Sequence, residues 1–156
     1  MSEELTATIE SAMKEGYAHL DRLHESHSRL RELHPFTETS LKSIDKEAVL
    51  YLDQFIYRFT KLQDSMARRL LPSLYSLLEA DTEPKPFLDV LGRLEQLNVI
   101  SSVETWQRFR NLRNNLAHDY PESLQQTALT INELIETWQD LESMFTGACD
   151  AYRNRA

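Results

Sequence analysis

Apolar residues recur along this chain at steps of three and four almost from end to end, the period of an amphipathic α-helix. Leu5, Ile9, Met13, Tyr17, Leu20, Leu23, Leu30 and Leu33 form the first stripe. It predicts a helix over about residues 3–33, ended by Pro35, because the residue before a proline is pushed out of the α region. Gly16 is expected to weaken that helix by about 1 kcal/mol relative to alanine. A longer stripe follows, Ala48, Leu52, Phe55, Phe59, Leu62, Met66, Leu70, Leu74 and Leu77, and predicts a helix over about 45–80. Pro72 lies inside it. Without an N–H for the carbonyl of Arg68, and with a ring that crowds that turn, it predicts a kink.

Asp81-Thr-Glu-Pro-Lys-Pro86 reads as a loop, since two prolines cannot continue a helix but can begin the next. A short helix is expected over about 86–97, with Phe87, Val90, Leu91, Leu94 and Leu97 inward. Ser101-x-x-Glu104 has the pattern of a capping box and predicts the start of a fourth helix carrying Trp106, Phe109, Leu112 and Leu116. Pro121 should draw the chain out of that helix near His118–Tyr120 and itself sit in the first turn of a fifth, about 121–151. The fifth carries Leu124, Ile131, Leu134, Trp138, Leu141, Phe145 and Ala148. No segment alternates with the period of two that marks a half-buried strand. The expectation is an all-α, up-and-down bundle of about five helices, a single domain spanning 1–156.

Composition agrees. The 156 residues are 41% hydrophobic and 27% charged, with 3 glycines and 5 prolines, an ordinary helix-favouring globular balance. A single cysteine, Cys149, excludes an internal disulfide or a paired-cysteine zinc site. The acidic opening Met-Ser-Glu-Glu-Leu-Thr has no apolar core of a secretory signal, and no run approaches the roughly 18 apolar residues of a membrane span. The expected location is therefore cytoplasmic, without membrane attachment.

Net charge changes the picture more. At -8, the whole chain offers nucleic acid no general attraction, so any such role needs a local basic patch. Residues 84–120 supply one. They hold 5 basic and 4 acidic residues, whereas 1–34 hold 4 and 7, 35–83 hold 6 and 8, and 121–156 hold 2 and 6. Within that block Arg108, Arg110 and Arg113 are close together, and no acid occurs from Thr105 to His118. Arg110, Asn114 and His118 are four apart, one ridge of a helix, and Arg113 can reach the same region. Arginine grips phosphate with two prongs, and histidine exchanges a proton near neutral pH.

Arg113-x4-His118-x-Tyr120, with the polar Asn114 after the arginine, matches the Arg-x(4–6)-His-x-Tyr pattern of the HEPN superfamily. The resemblance covers the whole chain in layout and about eight residues in motif, and is closest to the HepT-type toxins and nucleotidyltransferase substrate-binding subunits. It implies a metal-independent endoribonuclease, without cofactor, acting on RNA as a homodimer. It also implies a nucleotidyltransferase-type antitoxin that neutralises the toxin by binding and by adenylylating the motif tyrosine. Carried over, Arg113 and His118 are catalytic, Asn114 and Arg110 support them, and Tyr120 is the modified hydroxyl. Two alternatives stand beside it: a non-catalytic HEPN subunit that binds a nucleotide or a nucleotidyltransferase, and a helical scaffold without a ligand.

Other clusters point to structure. His19, His24, His27 and His34 lie on or just after the first helix, and His24 and His27 have ligand-compatible spacing. No Asp or Cys completes a convincing metal set, so they read as core or surface histidines, with no metal site expected. Glu136 with Asp140, and Asp21 with Glu25, read as solvated acidic faces, and Cys149 as an inert thiol.

Overall fold

The first stripe becomes helix α1, Ser2–Leu30, in a computed structural model of the protein, whose described residues are 2–117 and 123–155. The helix stops three residues short of the expected end, so Leu33 falls off the stripe and is 46% exposed. A short helix absent from the sequence reading, α2 (Glu38–Lys42), follows. Thr37 and Ser40 cap it reciprocally, each side chain bonding the other's backbone N–H. The connector before α2 is held down by one amide. Asn132 Oδ1 accepts from Phe36 N at 2.7 Å and Asn132 Nδ2 donates to Phe36 O at 2.9 Å, which seats the Phe36 ring in the core.

The second stripe forms α3 (Lys46–Ser65), capped by Asp45, and runs on through a π-helical turn, Met66–Leu70, into α4 (Leu71–Glu79). The proline effect is there but takes another form than a simple kink. Pro72 cannot donate, and the turn before it widens so that Leu71 N–H bonds Met66 O, five residues back. The inserted residue shifts the helical phase. Leu62 and Met66 are buried before it, and Leu70, Leu71, Leu74 and Tyr75 after it. Ala80, in the left-handed conformation, ends α4.

Helices α5 (Phe87–Gln96), α6 (Val103–Ala117) and α7 (Leu124–Arg153) complete the all-helical bundle. Leu97 lies just past α5 and is 37% exposed rather than inward. The start of α6 is one residue later than the expected box. Ser102, not Ser101, accepts from Thr105 N at 3.1 Å, and the Glu95 carboxylate accepts from Val103 N at 2.8 Å.

Both long neighbours of α1 run antiparallel to it. Glu15 bonds Arg69 and His19 bonds Arg58 on one side; Glu10 bonds Tyr152 and His24 bonds Glu142 on the other. One contiguous core results, with Trp138, Phe55, Phe59, Phe109 and Phe145 its largest fully buried side chains. Gly16 has a role opposite to the expected one. It sits where α1 meets α7, and a methyl there would overlap the Phe145 ring, so the missing side chain is what lets the helices close. Among the described residues no helix is long and apolar enough to cross a membrane.

Candidate functional site

Helix α6 is positioned by its apolar face. Trp106, Phe109 and Leu112 are buried, Phe109 meets Phe59 edge-on at 5.5 Å, and Trp106 meets Phe87 at 5.6 Å. That contact turns the arginines of the helix outward to different sides. Arg108 reaches α7 and pairs with Asp140 at 3.2 Å. Arg113 reaches α3 and pairs with Asp64 at 2.9 Å, its side chain about one third exposed. Arg110 lies between them, exposed, with no ion pair to a described residue.

The side of α6 that faces α3 and the π turn forms a groove of about 320 Å³. Arg110 and Arg113 line it from α6; Gln63, Asp64, Ala67 and Arg68 line it from α3 and the π turn; Phe87 and Trp106 supply its apolar part. Among the described residues three guanidinium groups face one carboxylate there, so their balance is positive on an acidic protein. Gln63 is 3% exposed and its Oε1 has no hydrogen-bond partner among the described residues. Leaving such an atom unpaired costs about 1–3 kcal/mol, and such atoms are few in native structures. The π turn is itself a departure from the regular helix of a kind found at functional sites.

The structure thus brings together two of the residues singled out from sequence, Arg110 and Arg113. Asn114 shares an exposed face with Arg110 but does not line the groove. His118 and Tyr120 lie outside the described residues, immediately beyond the end of α6. The sequence reading missed Asp64 and Arg68. Their signal was present but weak: they are four apart on one ridge, and Pro72 marks the turn that carries Arg68 as irregular.

The remaining titratable clusters resolve into packing. His19 is buried between Glu15 and Arg58, at 3.3 and 3.1 Å. His34 pairs with Glu136 at 2.7 Å. His27 packs against Trp138 and Phe55, and burial, followed by the charges of Arg31, His24 and His34, holds its pKa below the ordinary histidine value. The carboxylates read as solvated faces are in part ion-pair partners, Asp140 of Arg108 and Glu136 of His34. Burial pushes the Cys149 thiol up, which keeps it protonated and unreactive. No protein-family model, no curated protein and no solved structure matches this chain.

Proposed function

We propose that the protein is a HEPN-type endoribonuclease, metal-independent and acting on RNA as the toxin partner of a nucleotidyltransferase antitoxin. The observation that carries the reading is the placement of Arg113, the first residue of Arg-x4-His-x-Tyr. It lies at a positive groove near the end of α6, five residues before His118.

In this reading His118 takes the proton of a ribose 2′-hydroxyl, and the 2′-oxygen attacks the adjacent phosphorus. The bond to the 5′-oxygen breaks, and that oxygen leaves with a proton. The products are a 2′,3′-cyclic phosphate and a 5′-hydroxyl, and DNA, lacking the 2′-hydroxyl, is not cut. Arg113 stabilises the charge growing on the phosphorane oxygens. Asp64 forms an ion pair with it at 2.9 Å, which holds the guanidinium toward α3 while its other N–H groups remain for phosphate. Asp64 is then a positioning residue, and Asn114 supports the pair.

A homodimer would set two such motifs around one cleft and concentrate their charge against the acidic total. Adenylylation of Tyr120 by the partner, with pyrophosphate leaving, would place a phosphate and a nucleoside beside these arginines and exclude RNA. The second reading is a non-catalytic subunit that binds a nucleotide or the nucleotidyltransferase itself. The Arg113–Asp64 ion pair favours it, because it offsets the charge of the one motif arginine at the groove.

The deciding experiment is an assay on total tRNA in EDTA, with the parent chain, Arg113→Ala and His118→Ala. Cleavage by the parent alone, leaving cyclic-phosphate ends, is expected. No cleavage by folded parent protein free of adenylylation at Tyr120 would transfer the case to the second reading.

A further inference from the structure

The motif accounts for Arg113 but not for the other side of the groove. Arg68 comes from the π turn, is exposed, and makes no ion pair with a described residue. Arg110, facing it from α6, is in the same condition. Most arginines elsewhere on the molecule are taken up by neighbours, although the Arg31 side chain has no hydrogen bond or ion pair to a described residue and that of Arg29 only lies over the Tyr51 ring. Arg58 bonds His19, Arg69 bonds Glu15 and Ser11, Arg93 bonds Glu79, Arg108 bonds Asp140, and Arg153 bonds Tyr17. Two such cations held on opposite walls of one groove repel each other, an arrangement that an anion between them relieves.

We propose that Arg68 and Arg110 form a phosphate-binding subsite that anchors single-stranded RNA one or more nucleotides away from the bond cleaved at Arg113 and His118. The identity of the ligand rests on the ribonuclease reading; the site itself rests on the groove. Guanidinium groups suit a phosphodiester, whose two free oxygens accept parallel N–H donors. The aspartate in the groove is already committed to Arg113, so it does not neutralise the other two. The half-buried ring of Phe87 borders the same space and gives an attached nucleoside an apolar surface. Gln63, whose amide oxygen has no partner among the described residues, also lines the groove and offers an acceptor to a ribose or base donor once its side chain turns outward.

Arg68 stands four residues after Asp64 on the same ridge and so reaches the groove beside it. Arg69, the next residue, lies about 100° further round the helix and points instead to Glu15 and Ser11 of α1. The two neighbouring arginines therefore have separate tasks: Arg69 ties the bundle together and Arg68 is free to meet a ligand.

The test measures binding, not cleavage. His118→Ala protein is titrated with a fluorescein-labelled single-stranded RNA of about a dozen nucleotides, at several salt concentrations. Each phosphate contact contributes about 0.7 to the slope of log Kd against log salt for a single strand. Adding Arg68→Gln is expected to weaken binding by about tenfold, the size of one charge-assisted hydrogen bond, and to lower the slope by about 0.7. Arg110→Gln is expected to do the same. Arg68→Lys should keep most of the slope, and Arg22→Gln, an exposed arginine on α1 away from the groove, should leave both quantities unchanged. Circular dichroism melting confirms that each variant is folded. An unchanged slope in both Arg68→Gln and Arg110→Gln overturns the subsite, as does an equal loss in Arg22→Gln or no RNA binding by the His118→Ala protein. Arg68-dependent binding without cleavage by the parent chain would overturn the ribonuclease and keep the subsite. Cleavage with Arg68-independent binding would do the reverse.

Discussion

Single residues in this protein are decided by what they touch, and Gly16 is the clearest case. By helix propensity alone, replacing it with alanine stabilises by about 1 kcal/mol. In the bundle, the new methyl overlaps the Phe145 ring, which is 1% exposed and held edge-on by Tyr17 at 5.1 Å. Overpacking of that kind costs about 1–3 kcal/mol, and the ring has little room to retreat. Gly16→Ala is therefore expected to lower the urea midpoint, with a net loss of about 1 kcal/mol. A raised midpoint would show that propensity governs and that the ring moves aside. Arg113 is the same lesson at the candidate site. Its type and motif were legible in the sequence, but its ion pair with Asp64 was not, because nothing local relates α6 to α3.

At the scale of elements, periodicity located the long helices well, and the differences lie at their ends and at one irregular turn. The helix read over 45–80 exists, but its interior contains the π turn, since the expected effect of Pro72 is met by widening. Helix α2 has no buried residue and hence no stripe to read; a local cap makes it visible only in three dimensions. The start of α6 separates two serines that look equivalent in sequence. Ser102 accepts the Thr105 N–H and Ser101 does not. Ser102→Ala should cost about 1 kcal/mol in chemical denaturation, the usual cost of removing an N-cap, while Ser101→Ala should be close to neutral. Equal losses would mean that the box begins at Ser101 after all. Because α6 carries Arg110 and Arg113, a loosened start should also reduce RNA binding in the His118→Ala background.

For the molecule as a whole, the seam between α1 and α7 links stability to pH. His24 and His34 meet Glu142 and Glu136 along it, and His27 lies between them against Trp138. The folded His27 holds its proton less tightly than an unfolded chain does, chiefly because burial disfavours the charged ring. Above a pH of about 6.5 the residue is neutral in both states. As the pH falls below that value the unfolded state gains the proton first, so the contribution of His27 to stability is lost downward toward its folded pKa. The melting temperature of the parent should therefore fall more steeply between pH 7 and 5 than that of His27→Leu. Parallel curves for the two proteins would remove His27 from the account. Charge at this scale also frames the site, since on an acidic protein the arginines of this groove draw an anionic ligand toward it.

The sequence by itself determined that the chain is helical, where its long helices run, and that three arginines with no acid among them gather before His118. Those properties follow from near neighbours: spacing of apolar side chains, prolines, and local charge. Tertiary structure decided which arginine serves which purpose. Arg108 pairs with Asp140 on α7, Arg113 pairs with Asp64 on α3, and Arg68 enters the same groove from the turn that follows α3. Those outcomes depend on the crossing of segments far apart in the chain, where the phase of one helix meets the phase of another. Burial in the core sets that meeting, and no local pattern encodes it.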